Sequence, residues 1–103
     1  MSTSYQLIFE TRSARDSAFD ALVAAPLANR VSENVVLFRA PEFASNADYD
    51  IAAEKKDETI IILEINFKSP ALKAAILSAL RNYAFKCADS EDAGDVCEFT
   101  RIL

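Results

Sequence analysis

Apolar and polar residues alternate in "YQLIF", which places Tyr5, Leu7 and Phe9 on one face and predicts a β-strand at the start of the chain. The period then changes. Phe19, Leu22, Val23 and Leu27 recur at helical spacing, behind a Ser13 to Asp16 pair that resembles a capping box. Pro26 should end that helix near Ala25, because its ring clashes with the preceding turn. "NVVLFR", 34–39, predicts a second strand closed by Pro41. Residues 46–56 read two ways, as a short helix through "IAAEKK" capped by Ser45 or Asn46, or as an edge strand "YDIAA"; helix propensity favours the first. "TIIILEINF", 59–67, is apolar on both faces in its first half and belongs in the middle of a sheet. "SPALKAAILSALRNYAFK" predicts a helix, with Ser69 as N-cap, Pro70 in its first turn and a stripe of Leu72, Ile76, Ala79, Leu80 and Tyr83. "VCEFTRIL" predicts a last strand.

This order matches a βαββαβ, ferredoxin-like arrangement of the α+β class, with two helices on one face of an antiparallel sheet. The expectation is one domain over residues 1–103, a sheet of four to five strands, and an additional short helix at about 46–56. A chain of 103 residues can bury roughly 60 to 65% of its unfolded surface and needs no staple.

Composition narrows the chemistry. Gly94 is the only glycine, so neither a dinucleotide fingerprint nor a P-loop can form. The absence of histidine removes the usual general base, the usual zinc ligand and the middle member of a hydrolase triad. The expectation is therefore a non-enzymatic protein without catalytic residues, metal or cofactor. Cys87 and Cys97 are expected as reduced thiols, and no apolar run is long enough to span a bilayer, which points to a cytoplasmic protein.

The net charge of −5 is unevenly distributed. Residues 1–40 are neutral and residues 59–86 carry a surplus of bases, whereas 41–58 and 87–103 are both strongly acidic. Such a surface repels nucleic acid and suits a basic protein partner. The first candidate partner-binding group is Asp89, Glu91, Asp92, Asp95 and Glu98, within "ADSEDAGDVCEF". The second is Asp48, Tyr49, Asp50, Glu54, Asp57 and Glu58, where Tyr49, like Phe43, is an aromatic amid acids, either an interface anchor or a cap over one end of the sheet. The competing reading of both groups is plain solvation, with acids guarding strand edges. Aligned to a calcium loop, Asp89, Glu91, Gly94 and Asp95 fall in place, but position 5 is Ala93 and position 12 is Thr100, so the bidentate closing carboxylate is missing. The other aromatics are spread one or two per element, which indicates core packing rather than base stacking.

The span 45–85, with "YDIAAEKKDETIIILEINFKSPALKAAILSAL", resembles the small immunity proteins of bacterial contact-dependent growth inhibition systems, and "YQLIFETRSARDSAFDAL" looks like the opening strand and helix of the same kind of protein. The resemblance implies a cytoplasmic protein that binds and neutralises the toxin domain of a cognate effector, often an RNase or DNase. Displayed carboxylates would then compete with the nuclease's phosphate substrate. Two alternatives stand beside it: a phage-type inhibitor of a nucleic-acid-binding defence complex, and a small ferredoxin-like ligand-binding or regulatory domain. The oligomeric expectation is a monomer or weak dimer.

Overall fold

The computed structural model describes residues 3–40, 49–91, 94, 96 and 98–103. The elements are β1 (Thr3–Ile8), α1 (Arg12–Val23), β2 (Ala28–Arg30), β3 (Val35–Phe38), β4 (Ile51–Lys55), β5 (Ile60–Ile65), α2 (Pro70–Ala79), β6 (Lys86–Asp89) and α3 (Phe99–Ile102). The six strands form one sheet in the order β2-β3-β4-β5-β1-β6, with every neighbouring pair antiparallel. The result is a small compact α+β domain.

The register follows from the alternation. Leu7 lies opposite Ile61 on β5 and Cys87 on β6, so three apolar side chains share the face that the helices cover. Ile61, Leu63 and Ile65 continue that face, with Ile51 and Ala53 from β4 and Val36 and Phe38 from β3. Phe19 and Leu22 of α1 and Leu72 and Ile76 of α2 complete a single core, and all four are fully buried. Each such side chain stabilises the fold by about 1.5 to 3 kcal/mol relative to an exposed position. Ile60 and Ile62 point to the opposite face and are half-buried.

Both principal helices begin at a side-chain cap. Thr11 accepts the Ala14 amide at 3.1 Å, and Ser69 accepts the Leu72 amide with Pro70 in the first turn. Ser69 and Pro70 thus act as their types predict, while the first cap is Thr11 rather than Ser13, which lies inside α1.

Three expectations are corrected. The sheet has six strands rather than four to five, because β2, paired with the expected strand β3, adds an edge strand. Residues 51–55 form strand β4 rather than part of a helix: paired on both sides, they satisfy backbone groups and bury Ile51 and Ala53, which outweighs a helix preference of a few tenths of a kcal/mol per residue. Residues 46–48, the start of that expected helix, lie outside the described residues. Finally, "VCEFTRIL" does not form the last strand. The last strand is β6, which shares only Lys86 with the expected second helix and takes its other residues from the stretch that follows, and residues 99–102 are helical. Leu80 caps α2 and a turn from Leu80 to Tyr83 frees the chain to pair with β1. Phe99 then packs edge-on against Phe85, whose ring meets Phe9 at a tilt of 43°, and so holds α3 against the sheet.

Pro26 does not merely end α1. The Ala28 amide donates to the Ala25 carbonyl at 3.3 Å, and Leu27 has φ 69, the pattern of a type II turn with Pro at its second position. Leu27 is 39% exposed, so its side chain contributes little against the strain of a left-handed conformation. Leu27→Gly is expected to leave stability within about 0.5 kcal/mol of wild type, whereas Leu27→Val, β-branched at positive φ, costs about 1 kcal/mol more. Equal urea midpoints for the two variants would contradict the turn assignment.

Candidate functional site

The acids singled out by sequence separate into three environments. Asp50 is fully buried. Its amide donates to the Phe38 carbonyl at 2.9 Å, and its carbonyl accepts the Asn66 and Phe67 amides at 2.8 and 3.2 Å. Its Oδ2 accepts the Ala40 amide at 2.7 Å, while Oδ1 has no hydrogen-bond partner among the described residues. Asp50 therefore ties the ends of β3, β4 and β5 together and is not a surface acid. Tyr49 serves the same junction: its hydroxyl donates to Glu64 and its carbonyl accepts Asn66 Nδ2 at 3.2 Å.

The second environment is the β4–β5 turn with Asp57 and Glu58, and the exposed Glu54 just before it. The third is the end of β6. There Asp89 Oδ1 accepts the Glu91 amide at 2.8 Å, and the Asp89 carbonyl accepts Gln6 Nε2 at 2.8 Å. Glu98 pairs with Arg101 at 2.9 Å, with both side chains well exposed, so the pair contributes little. Asp48, Asp92 and Asp95, together with Phe43, Cys97 and Ala93 of the calcium-loop alignment, lie outside the described residues. Cys87 is buried in the core beside Leu7.

The register sets the second and third environments apart. Ile8 pairs with Ile60 and Lys86 at the end of the sheet that carries the β4–β5 turn, while Tyr5 pairs with Asp89 toward the other end. The stretch of β5 between those register positions, Ile60 to Leu63, is roughly 10 Å at about 3.3 Å per residue. Among the described residues, Asp57 and Glu58 of the β4–β5 turn therefore lie at the opposite end of the sheet from Asp89.

What the fold does gather is a charged cleft of about 650 Å³ that the charge count along the chain does not reveal. The first turns of α1 supply Arg12, Arg15 and Asp16. Arg30, Glu33 and Asn34 come from the β2–β3 hairpin, and Lys55 to Glu58 from the β4–β5 turn. Five of the chain's eleven basic residues thus meet four of its sixteen acids. Arg15 sits on the apolar stripe of α1, four residues before Phe19 and seven before Leu22, so its side chain is drawn inward and is 7% exposed. It donates Nε to Asp16 at 2.7 Å and Nη1 to the Asp57 carbonyl at 2.6 Å, fastening α1 to the β4–β5 turn. Lys55 is held 4.9 Å over the Phe19 ring and 3.9 Å from Asp16. Arg30 donates Nε and Nη2 to the Ser32 and Glu33 carbonyls and shapes the β2–β3 turn.

Arg15 was the available sequence signal. An arginine on a helix's apolar stripe must find oxygen partners, because an unpaired buried guanidinium is costly. Chemically, the cleft offers fixed cations and carboxylates.

No group of three or more Cys, Asp or Glu side chains able to hold a metal comes together among the described residues, and no described helix is long and apolar enough to cross a membrane. Comparison of the chain with protein-family models, with curated proteins and with solved structures finds no match.

Proposed function

We propose that this protein is a non-enzymatic inhibitor of the immunity type, which acts in the cytoplasm by binding the basic toxin domain of a cognate effector, a nuclease. The carboxylates at the end of β6 form its contact surface. The observation that carries this reading is the contrast between the two acidic segments. Among the described residues of the two groups only Glu98, with Arg101, makes an ion pair, but Asp57 and Glu58 share their cleft with five cations, and Asp89 and Glu91 do not line it. Uncompensated carboxylates at a sheet edge attract a surface built to hold phosphate. Acids already surrounded by Arg and Lys do so far less.

In the same reading the core is a ferredoxin-like βαββαβ unit made of β1, α1, β4, β5, α2 and β6, with the β2–β3 hairpin inserted after α1. The strand order β4-β5-β1-β6 within the sheet supports it. A phage-type inhibitor of a nucleic-acid-binding complex would use the same surface, and phage genes beside this one in place of a large secreted effector would favour it.

Co-expression with the neighbouring toxin domain tests the proposal. Wild type is expected to restore growth, and Asp89→Asn, Glu91→Gln, Asp92→Asn and Asp95→Asn together are expected to abolish most of the rescue. Asp57→Asn with Glu58→Gln should leave it intact. Failure of wild type to rescue removes the immunity reading; rescue by the fourfold variant equal to wild type removes the acidic surface from it.

A further inference from the structure

We propose that the cleft between α1 and the two hairpin turns binds a small phosphorylated sugar, a role independent of the inhibitor function. The local charge is the first ground. The chain as a whole carries −5, yet this cleft holds five cations against four carboxylates. One of those carboxylates, Asp16, is shared by Arg15 and Lys55, at 2.7 and 3.9 Å. The floor is therefore cationic.

Preorganisation is the second ground. Arg15 is fixed by its bonds to Asp16 and to the Asp57 carbonyl, and these engage Nε and Nη1 but leave Nη2 uncommitted. Lys55 is fixed by the Phe19 ring. Cations already immobilised lose little conformational freedom when an anion arrives, and a planar guanidinium matches phosphate oxygens in geometry as well as charge. At the rim, Arg12 and Lys56 make no hydrogen bond or ion pair with described side chains and are able to close on a dianion.

Size and lining identify the rest of the ligand. About 650 Å³ is far more than one phosphate needs and lies within the range of small-molecule sites. No lining residue is aromatic or aliphatic, so nothing there would stack a nucleobase. Glu33, Asp57, Glu58 and the Asn34 amide instead offer acceptors and donors suited to hydroxyl groups. Cations for the phosphate and carboxylates for the hydroxyls explain a mixed lining that would suit neither a bare anion nor a bare sugar.

The test uses the full chain and three probes: glucose 6-phosphate, inorganic phosphate and glucose, titrated by heteronuclear NMR. Glucose 6-phosphate is expected to give saturable shifts in the amides of residues 12–16, 30–34 and 55–58, at least about tenfold tighter than inorganic phosphate, while glucose does not saturate. Arg12→Gln with Lys56→Gln should weaken glucose 6-phosphate about tenfold and leave the melting temperature unchanged, since both side chains are exposed. Absence of saturable binding, or equal binding by wild type and the double variant, overturns the site. Inorganic phosphate binding as tightly as the ester overturns the sugar. Growth rescue by the double variant, expected to equal wild type, keeps the outcome separate from the inhibitor reading.

Discussion

Asp50→Ala is expected to lower the free energy of unfolding by about 2 kcal/mol, and Asp50→Asn by less than half as much. The reasoning rests on which bonds each change removes. The backbone of Asp50 keeps its three bonds in either variant, because the amide and carbonyl that join it to Phe38, Asn66 and Phe67 are unaltered. Alanine, however, removes the Oδ2 that accepts the Ala40 amide at 2.7 Å, at a position with no exposure to water. An N–H left unpaired in such a place costs about 1 to 3 kcal/mol, and the space of the carboxyl adds to it. Asparagine keeps an acceptor oxygen for Ala40. It also replaces the carboxyl oxygen that has no partner among the described residues, so part of its cost is offset. Urea titrations of the three proteins measure the order. Asp50→Ala as stable as wild type would contradict the role of Asp50 as a tie between strands, and growth rescue reduced equally by both variants would return it to the contact surface.

Much of the sheet was legible because each strand carries its own pattern. Tyr5, Leu7 and Phe9, and Leu63 with Ile65, mark the core face by alternation alone. Ser69 with Pro70 marks the start of α2 because that pair is suited to a helix N-terminus. Strand β4 was half legible: the edge-strand reading of "YDIAA" stood beside a helix favoured by propensity, and pairing with β3 and β5 decides for a strand inside the sheet. Strand β6 was hidden for a related reason, since four residues with one buried thiol give no periodic signal until Leu7 lies opposite Cys87.

The site was less legible than the fold. Counting charge along the chain makes residues 1–40 neutral, but folding carries Arg12, Arg15 and Arg30 to the acids of the β4–β5 turn. Sequence proximity therefore overstated the acidity of that segment and counted the buried Asp50 as surface. Among the described acids, Asp57 and Glu58 are the ones the fold brings into a cleft with five cations, whereas Asp89 and Glu91 are not among its lining.

That contrast predicts how fast the protein captures its partner. Carboxylates that steer a basic nuclease domain act through a field screened over about 10 Å at 0.1 M salt, so association should be rapid at low ionic strength and slow steeply as salt rises. Steered association of this kind reaches about 10⁸ M⁻¹s⁻¹, against roughly 10⁵ to 10⁶ M⁻¹s⁻¹ without steering. Three proteins separate the possibilities: wild type, the fourfold variant at Asp89, Glu91, Asp92 and Asp95, and the Asp57→Asn/Glu58→Gln pair. Stopped-flow association with the toxin domain between 20 and 500 mM salt, roughly spanning strong and weak screening, is the decisive measurement. The expected result is a salt dependence in wild type that is largely lost, with at least about a tenfold slower low-salt rate, in the fourfold variant, and preserved in the Asp57 and Glu58 pair. A salt-independent rate in wild type, or the same salt dependence in the fourfold variant, would contradict an inhibitor that works through the carboxylates at the end of β6.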